Sequence, residues 1–240
     1  MGAVDFSINP RLIEYLREYV PLDLFVETGT FTGDSVRSVL ELFDEIHTIE
    51  LSPDLYAAAV EQFADNANVN VHHGDSADVL GRLRPEMSGR SVLYWLDAHW
   101  CVADDTAGEQ SQCPLLGELA AIEELNDSSV VLIDDARLFL CTPPHPHEVS
   151  QWPRFQQIVE TLFTIGSAHE IAVVNDVIAF FPKATAPAVA AYAQAHAVDW
   201  LDVLGRLASL EQQREDLMRI LDERLALIER LDRDLRERNN

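Results

Sequence analysis

The sequence predicts an α/β fold: a Rossmann-like, mostly parallel seven-stranded sheet with helices on both faces. Three observations carry this. From residue 22 short apolar runs alternate with longer mixed stretches, the pattern of repeated strand–helix units in a covered parallel sheet. Acids stand where those runs end, at Glu27, Glu50, Asp75, Asp97, Asp134 and Asp135, and ligands of such sheets bind outside the carboxyl ends of the strands. The last two runs flank Asn175-Asp176, a tight-turn pair, so the sheet should finish in an antiparallel hairpin.

Taken in order, PRLIEYLREYV at 10–20 reads as a helix laid against the start of the sheet, and LDLFVE as the first buried strand. GDSVRSVLELF follows as a helix starting at Gly33 and Asp34, then EIHTIEL as a strand. SPDLYAAAVEQFA is a helix with Ser52 as N-cap and Pro53 in its first position. NVNVHHG is strand-like, SADVLGRL a short helix, SVLYWLDA a strand, PLLGELAAIEEL a helix and SSVVLIDD a strand. WPRFQQIVETLFTI is a helix, HEIAVVNDVIAFFP the hairpin, and 186–202 a further helix. Residues 1–203 form the domain. Beyond it, 204–240 read as a coiled-coil helix: Leu207, Leu210, Leu217, Leu221, Ile228, Leu231 and Leu235 keep a 3-4 spacing that Arg214 and Arg224 interrupt. Such a stripe packs on its own domain, on a second copy or on another protein. Its charged flanks favour a homo-oligomer through residues 205–238.

The chain has 240 residues and a net charge of −24. Residues 206–238 hold eight Arg against nine acids, whereas 1–205 hold nine basic against thirty-two acidic residues. A body this acidic should repel nucleic acid and anionic lipid surfaces. No apolar run approaches the ~20 residues of a membrane span, no secretion signal opens the chain, and three cysteines make no disulfide framework. A cytoplasmic protein without membrane insertion is the expectation.

The stretch FVETGTFTGDS is glycine-rich, yet lacks the Gly-Lys-Ser/Thr of a phosphate loop and the G-x-G-x-x-G of a dinucleotide loop. Gly29 lets the chain turn and a ligand approach the backbone. Glu27 and Asp34 would repel a phosphate and suit an ammonium group. Glu50, at the next strand end, is placed to accept from ribose hydroxyls, and Gly74-Asp75-Ser76 to read an adenine edge. A cationic amino-acid end, a ribose and an adenine together describe S-adenosylmethionine. NAD is the competing ligand, and its pyrophosphate has no seat.

These three stretches, ETGTFTGDS, HTIELSPDLYAAA and HHGDSADVL, resemble the cofactor half of class I S-adenosylmethionine-dependent methyltransferases. The similarity is closest to the catechol O-methyltransferase type, with its E-x-G-x-x-x-G-x-S, I-E and G-x-S. It extends over roughly residues 20–182. The resemblance implies cofactor contacts from Glu27, Thr28, Gly29, Thr30, Gly33, Ser35, Glu50, Leu51, Gly74, Asp75, Ser76 and Asp97.

WLDAHW at 95–100 and LIDDARLF at 132–139 bring further acids to the same rim. Asp97, Asp134 and Asp135 so close together call for a cation, and hard oxygen ligands suit Mg²⁺. The catechol type has L-D-H-W and A-D-N there, and the macrocin O-methyltransferase type has L-D-G-D and D-D-Y; both use a metal to bind vicinal hydroxyls. This chain departs from the catechol type by one extra residue before His99 and by Asp135 in place of Asn. It also lacks that type's catalytic lysine, Lys183 being its only lysine. His99 is therefore the candidate base, acting with Asp97. Arg137 pairs with one of the acids or with a substrate anion. The polar stretch 101–114 has the place of a substrate lid, and 141–153 that of the opposite wall. His99, Cys101 and Cys113 also invite a zinc reading, though their spacing matches no common pattern. The resulting expectation is methyl transfer to a hydroxylated small molecule or sugar, with Mg²⁺ assistance. The rival is a non-catalytic module of the same fold that holds a partner through its coiled coil.

Overall fold

The computed structural model describes residues 8–100 and 111–238. Strands β1 (Leu24–Thr28), β2 (Glu45–Glu50), β3 (Val69–His73), β4 (Val92–Leu96), β5 (Val130–Ile133), β6 (His169–Val174) and β7 (Val177–Pro182) form one seven-stranded sheet. Its order is β3-β2-β1-β4-β5-β7-β6. β1 to β5 run parallel, and β7 pairs antiparallel with both β5 and β6. Every residue of β1, β4 and β5 is buried, which is why these strands read as unbroken apolar runs.

Helices α1 (Pro10–Arg17), α2 (Asp34–Val39), α3 (Pro53–Gln62), α4 (Ser76–Met87), α5 (Leu115–Ile122), α6 (Arg137–Leu140), α7 (Phe155–Ile165) and α8 (Ala186–His196) accompany the sheet. Alternation along β1 sends Leu24 and Val26 into one core, with Leu80, Leu119 and Leu162, and Phe25 into the other, with Ile13, Val36 and Val189. Phe25 is fully buried; a side chain of that size contributes ~1.5–3 kcal/mol.

Several elements depart from the sequence reading. The helix expected over 33–43 stops at Val39, because Asn68 Nδ2 donates to the carbonyls of Leu40 (3.1 Å) and Phe43 (2.8 Å). α4 continues to Met87 with Pro85 in its last turn. α6 was not anticipated. The helix expected over 186–202 ends at His196, and a new one, α9 (Trp200–Arg238), starts after Asp199, whose Oδ1 accepts from Leu201 N (2.9 Å) and Asp202 N (3.3 Å). The hairpin turn falls at Asn175-Asp176, where Asn175 takes the left-handed φ of 57° that asparagine tolerates.

Two compact units result, Gly2–Ala197 and the segment from Val198, so the division lies six residues before the expected boundary after residue 203. α9 is 39 residues long with its leucines exposed along its length. Its charges pair within the helix, as in Arg206–Asp202 (2.9 Å) and Arg236–Asp232 (2.7 Å). Among the described residues no helix is long and apolar enough to cross a membrane.

Candidate functional site

Backbone hydrogen bonds draw four strand ends together. Gly29 N and Thr30 N donate to Ile49 O, Gly74 N to Glu50 O, and Asp97 N to Thr28 O. The β1 turn lies so close to the end of β4 that a Cβ on Gly29 would stand 2.5 Å from Asp97 O; with φ at 84°, this position requires glycine. Gly33 packs as closely, its missing Cβ leaving room for Phe63.

Glu27 lies beneath the turn with 1% of its surface exposed. Thr48 Oγ1 donates to its Oε2 (2.6 Å), and the Thr48 hydroxyl also bonds that of Thr30 (2.6 Å). Burial raises the Glu27 pKa to about 8 against the opposing bonds from Thr48 and Ser35, and the charges of Glu50 and Asp34 add to the rise. No cation is among the causes. Glu50 is a latch: its Oε2 accepts from Phe31 N (2.9 Å) and its Oε1 from Ser52 N (2.8 Å), joining the β1 and β2 turns. Each oxygen retains a second lone pair for a further donor.

Leu51 stands 48% exposed beyond Glu50, near the stacked pair Tyr56 and His73. The acids and hydroxyls after β3 take structural partners. Asp75 caps α4, its Oδ1 accepting from Ala77 N (3.0 Å) and Asp78 N (3.2 Å), while the Ser76 hydroxyl bonds Glu118. Arg37 pairs with Asp34, so it provides no open phosphate seat beside the turn.

At the β4–β5 end the acids are arranged around His99 and Arg137. His99 Nε2 donates to Asp135 Oδ2 (2.7 Å), and its Nδ1 lies 3.6 Å from Asp97 Oδ1, a charge contact longer than a hydrogen bond. Arg137 binds both Asp135 and Asp176, and Asp176 Oδ1 also accepts from Arg137 N (2.8 Å). Burial works to lower the His99 pKa, but its bond to Asp135 and the charges of Asp97, Asp135 and Asp134 outweigh it and hold the pKa above the ordinary value. Burial, reinforced by Asp135, lifts Asp134 to about 6. Burial also opposes ionisation of Asp135, yet His99 and Arg137 prevail and lower its pKa.

The acids expected to form a metal trio have other partners in this arrangement. Both oxygens of Asp135 are engaged, by the His99 ring and the Arg137 guanidinium, and Asp134 Oδ1 accepts from Asp135 N (2.8 Å). Among the described residues no group of three or more His, Cys, Asp or Glu is arranged to hold a metal. The carboxylates do not fit Mg²⁺ in this arrangement. Arg137, left open by the sequence, pairs with acids. Cys101 of the zinc reading, with most of the 101–114 lid, lies outside the described residues; Cys113 and Cys141 are free thiols, and burial pushes Cys113 up to about 12.

Two residues of the site escaped sequence reasoning. Glu118, 1% exposed, bonds Ser76 and Thr28, and its Oε1 has no partner. Its signal is an acid on the buried Leu115–Leu119–Ile122 stripe of α5. Gln112 ties the two loops together: its Oε1 accepts from Glu148 N (2.8 Å) and Trp152 Nε1 (3.0 Å). Phe139 and Trp152 stand edge-on to the His99 ring. A cleft of about 450 Å³ opens among Asp75, Ala77, Pro114, Gly117, Trp152 and Gln157.

No protein-family model matches the chain, and no curated protein matches it. Solved structures to which it is similar include human methyltransferase-like protein 13 in complex with SAH, at 16% identity and a TM-score of 0.49, covering 78% of this chain and 86% of that one. The O-methyltransferase TomG from Streptomyces achromogenes in complex with SAM shows 18% identity and a TM-score of 0.46 over 72% of this chain and 77% of that one. SAM-bound CalS10, an amino pentose methyltransferase from Micromonospora echinaspora, shows 16% identity and a TM-score of 0.36 over 52% of this chain. The chain spans about half the length of CalS10, 48%.

Proposed function

We propose that the chain is a class I S-adenosylmethionine-dependent methyltransferase that methylates an oxygen of a hydroxylated small molecule, with His99 as general base. One observation carries the reading: the turns after β1 and β2 are joined through Glu50 into a seat lined by carboxyl oxygens, with the buried Glu27 beneath it, and the nearby Arg37 is already paired with Asp34 and offers no open cation there. Such a seat favours a ligand with an ammonium group over a pyrophosphate. The antiparallel end of the sheet agrees with that fold.

When bound, the cofactor supplies an electrophilic methyl group. The protein's task is to hold the acceptor in line and remove its proton. Because Nε2 of His99 donates to Asp135, Nδ1 is the basic nitrogen of the neutral ring. The imidazolium formed on proton uptake is stabilised by Asp135 on one side and Asp97 on the other. Phe139 and Trp152, both buried, stand edge-on to the His99 ring and help fix its orientation. No metal is needed in this scheme, since Asp135 already orients the base.

Calorimetry with S-adenosylmethionine, its demethylated product and NAD tests the reading. Binding of the first two is expected; binding of NAD alone would sink it. The second reading, a non-catalytic module, draws on the long exposed α9. It predicts cofactor binding without turnover on any hydroxylated acceptor.

A further inference from the structure

The apolar stripe of α9 has no cover within its own compact unit, and its pattern specifies how it is covered. We propose that α9 pairs with α9 of a second copy of this chain, antiparallel, about a two-fold axis at Arg219.

Three features support this occupant and this orientation. The first is charge. Residues 206–238 are nearly neutral, with eight Arg and nine acids, while residues 1–205 carry −23. The helix is thus the segment on which two copies can approach without strong repulsion. In a parallel pair both acidic bodies attach at the same end of the rod. In the antiparallel pair the two Trp200 ends stand ~57 Å apart at 1.5 Å per residue, many times the Debye length of ~8 Å.

The second feature is register. The seam reads alike from both ends about Arg219. Leu207 then faces the partner's Leu231, Leu210 the partner's Ile228, and Leu217 the partner's Leu221. Arg214 faces the partner's Arg224, so both interruptions fall into the same two layers. Sliding by one heptad either way would set arginines against leucines in four layers. The arginine layers weaken the pair, their aliphatic stems lining the seam while the heads reach water. The third feature is the flanks: Arg206 meets the partner's Asp234, once on each side of the axis, and Met218 and Ile220 meet their own copies.

The full-length chain should sediment at about 54 kDa, twice the 26.9 kDa of one chain. Oxidation of the double variant Arg206→Cys/Asp234→Cys should give a covalent dimer at several times the yield of either single variant or of the parent, whose own thiols set the background. Within one helix these positions are ~42 Å apart, so an internal disulfide cannot form. Leu217→Asp with Leu221→Asp should return a monomer that binds the cofactor as the parent does. That last readout separates failure of the pairing from failure of the functional reading. A monomeric parent, or equal cross-linking of Asp234→Cys alone, would overturn the proposal.

Discussion

Two groups of carboxylates stand at neighbouring strand ends of one sheet and are stabilised in opposite ways. At the β1–β2 end, neutral donors serve them: hydroxyls for Glu27, and the N–H groups of Phe31 and Ser52 for Glu50. At the β4–β5 end, His99 and Arg137 serve them. Neutral donors position a carboxyl group but bring no cation, so the buried Glu27 holds its proton up to about pH 8 unless a cationic ligand compensates it, as the proposed cofactor would. Arg137 cancels charge at Asp135 and Asp176, and the other oxygen of Asp135 is bonded to His99. On the proposed function the same residue type marks a ligand seat in one place and a base with its supports in the other.

The largest effect should come from the support side. His99→Gln is expected to cut turnover by ~10²–10⁴-fold, the usual contribution of a general base, while calorimetric cofactor affinity stays within about twofold. In the parent, turnover should rise with pH through the elevated pKa of His99, and that limb should vanish in the variant. Loss of cofactor binding in step with turnover would erase the distinction between the two groups.

On the seat side, Glu27 makes the protein's stability depend on pH. Its folded pKa is raised from 4.5 to about 8. Across that window the native state keeps a proton that the unfolded chain has lost, so stability falls as pH rises, and the penalty is complete above about 8. At about 1.4 kcal/mol per unit the total is on the order of several kcal/mol. Urea midpoints should show Glu27→Gln matching the parent near pH 4 and exceeding it at pH 9. Saturating cofactor should flatten the parent's decline if the ligand's ammonium group compensates this carboxylate. An unchanged slope would remove Glu27 from the seat.

Glu50→Ala should weaken cofactor binding by ~1.5–3 kcal/mol, the scale of hydrogen bonds to a charged group. It should also loosen both turns, because Phe31 N and Ser52 N lose their acceptor. Binding unchanged by calorimetry would mean that the latch holds loops and no ligand.

The sheet was legible because its strands are either fully buried or cleanly paired: β1, β4 and β5 read as apolar runs and the hairpin announced itself at Asn175-Asp176. Glu50 was legible as an acid at a strand end. What failed was partner choice. The sequence places Asp97, Asp134 and Asp135 at one rim, but whether they share a metal or a histidine depends on side-chain directions that sequence position does not set. Asp135 at φ 54° turns its carboxylate toward His99. Asp176, some forty residues on, reaches Arg137 through the β5–β7 pairing, which no local pattern reveals. Glu118 is readable as an acid on a buried helical stripe, but the stripe alone does not show that it reaches Ser76 and Thr28 at the strand ends.

The smallest expected effect is the sharpest test of the comparison. If Asp97, Asp134 and Asp135 are occupied by His99, Arg137 and a backbone N–H, then removing divalent cations changes nothing they do. Turnover in excess chelator should stay within about twofold of turnover in Mg²⁺, and the metal should leave the thermal midpoint of the parent unmoved. Arg137→Gln makes the test discriminating. It frees one oxygen each of Asp135 and Asp176 and leaves Asp135 with His99 alone, so residual turnover should remain independent of metal although lower. If chelator instead abolishes the parent's turnover and Mg²⁺ restores it, the acids must swing away from their present partners to share the ion. The contrast between a seat served by neutral donors and acids served by His99 and Arg137 would then describe the resting protein alone.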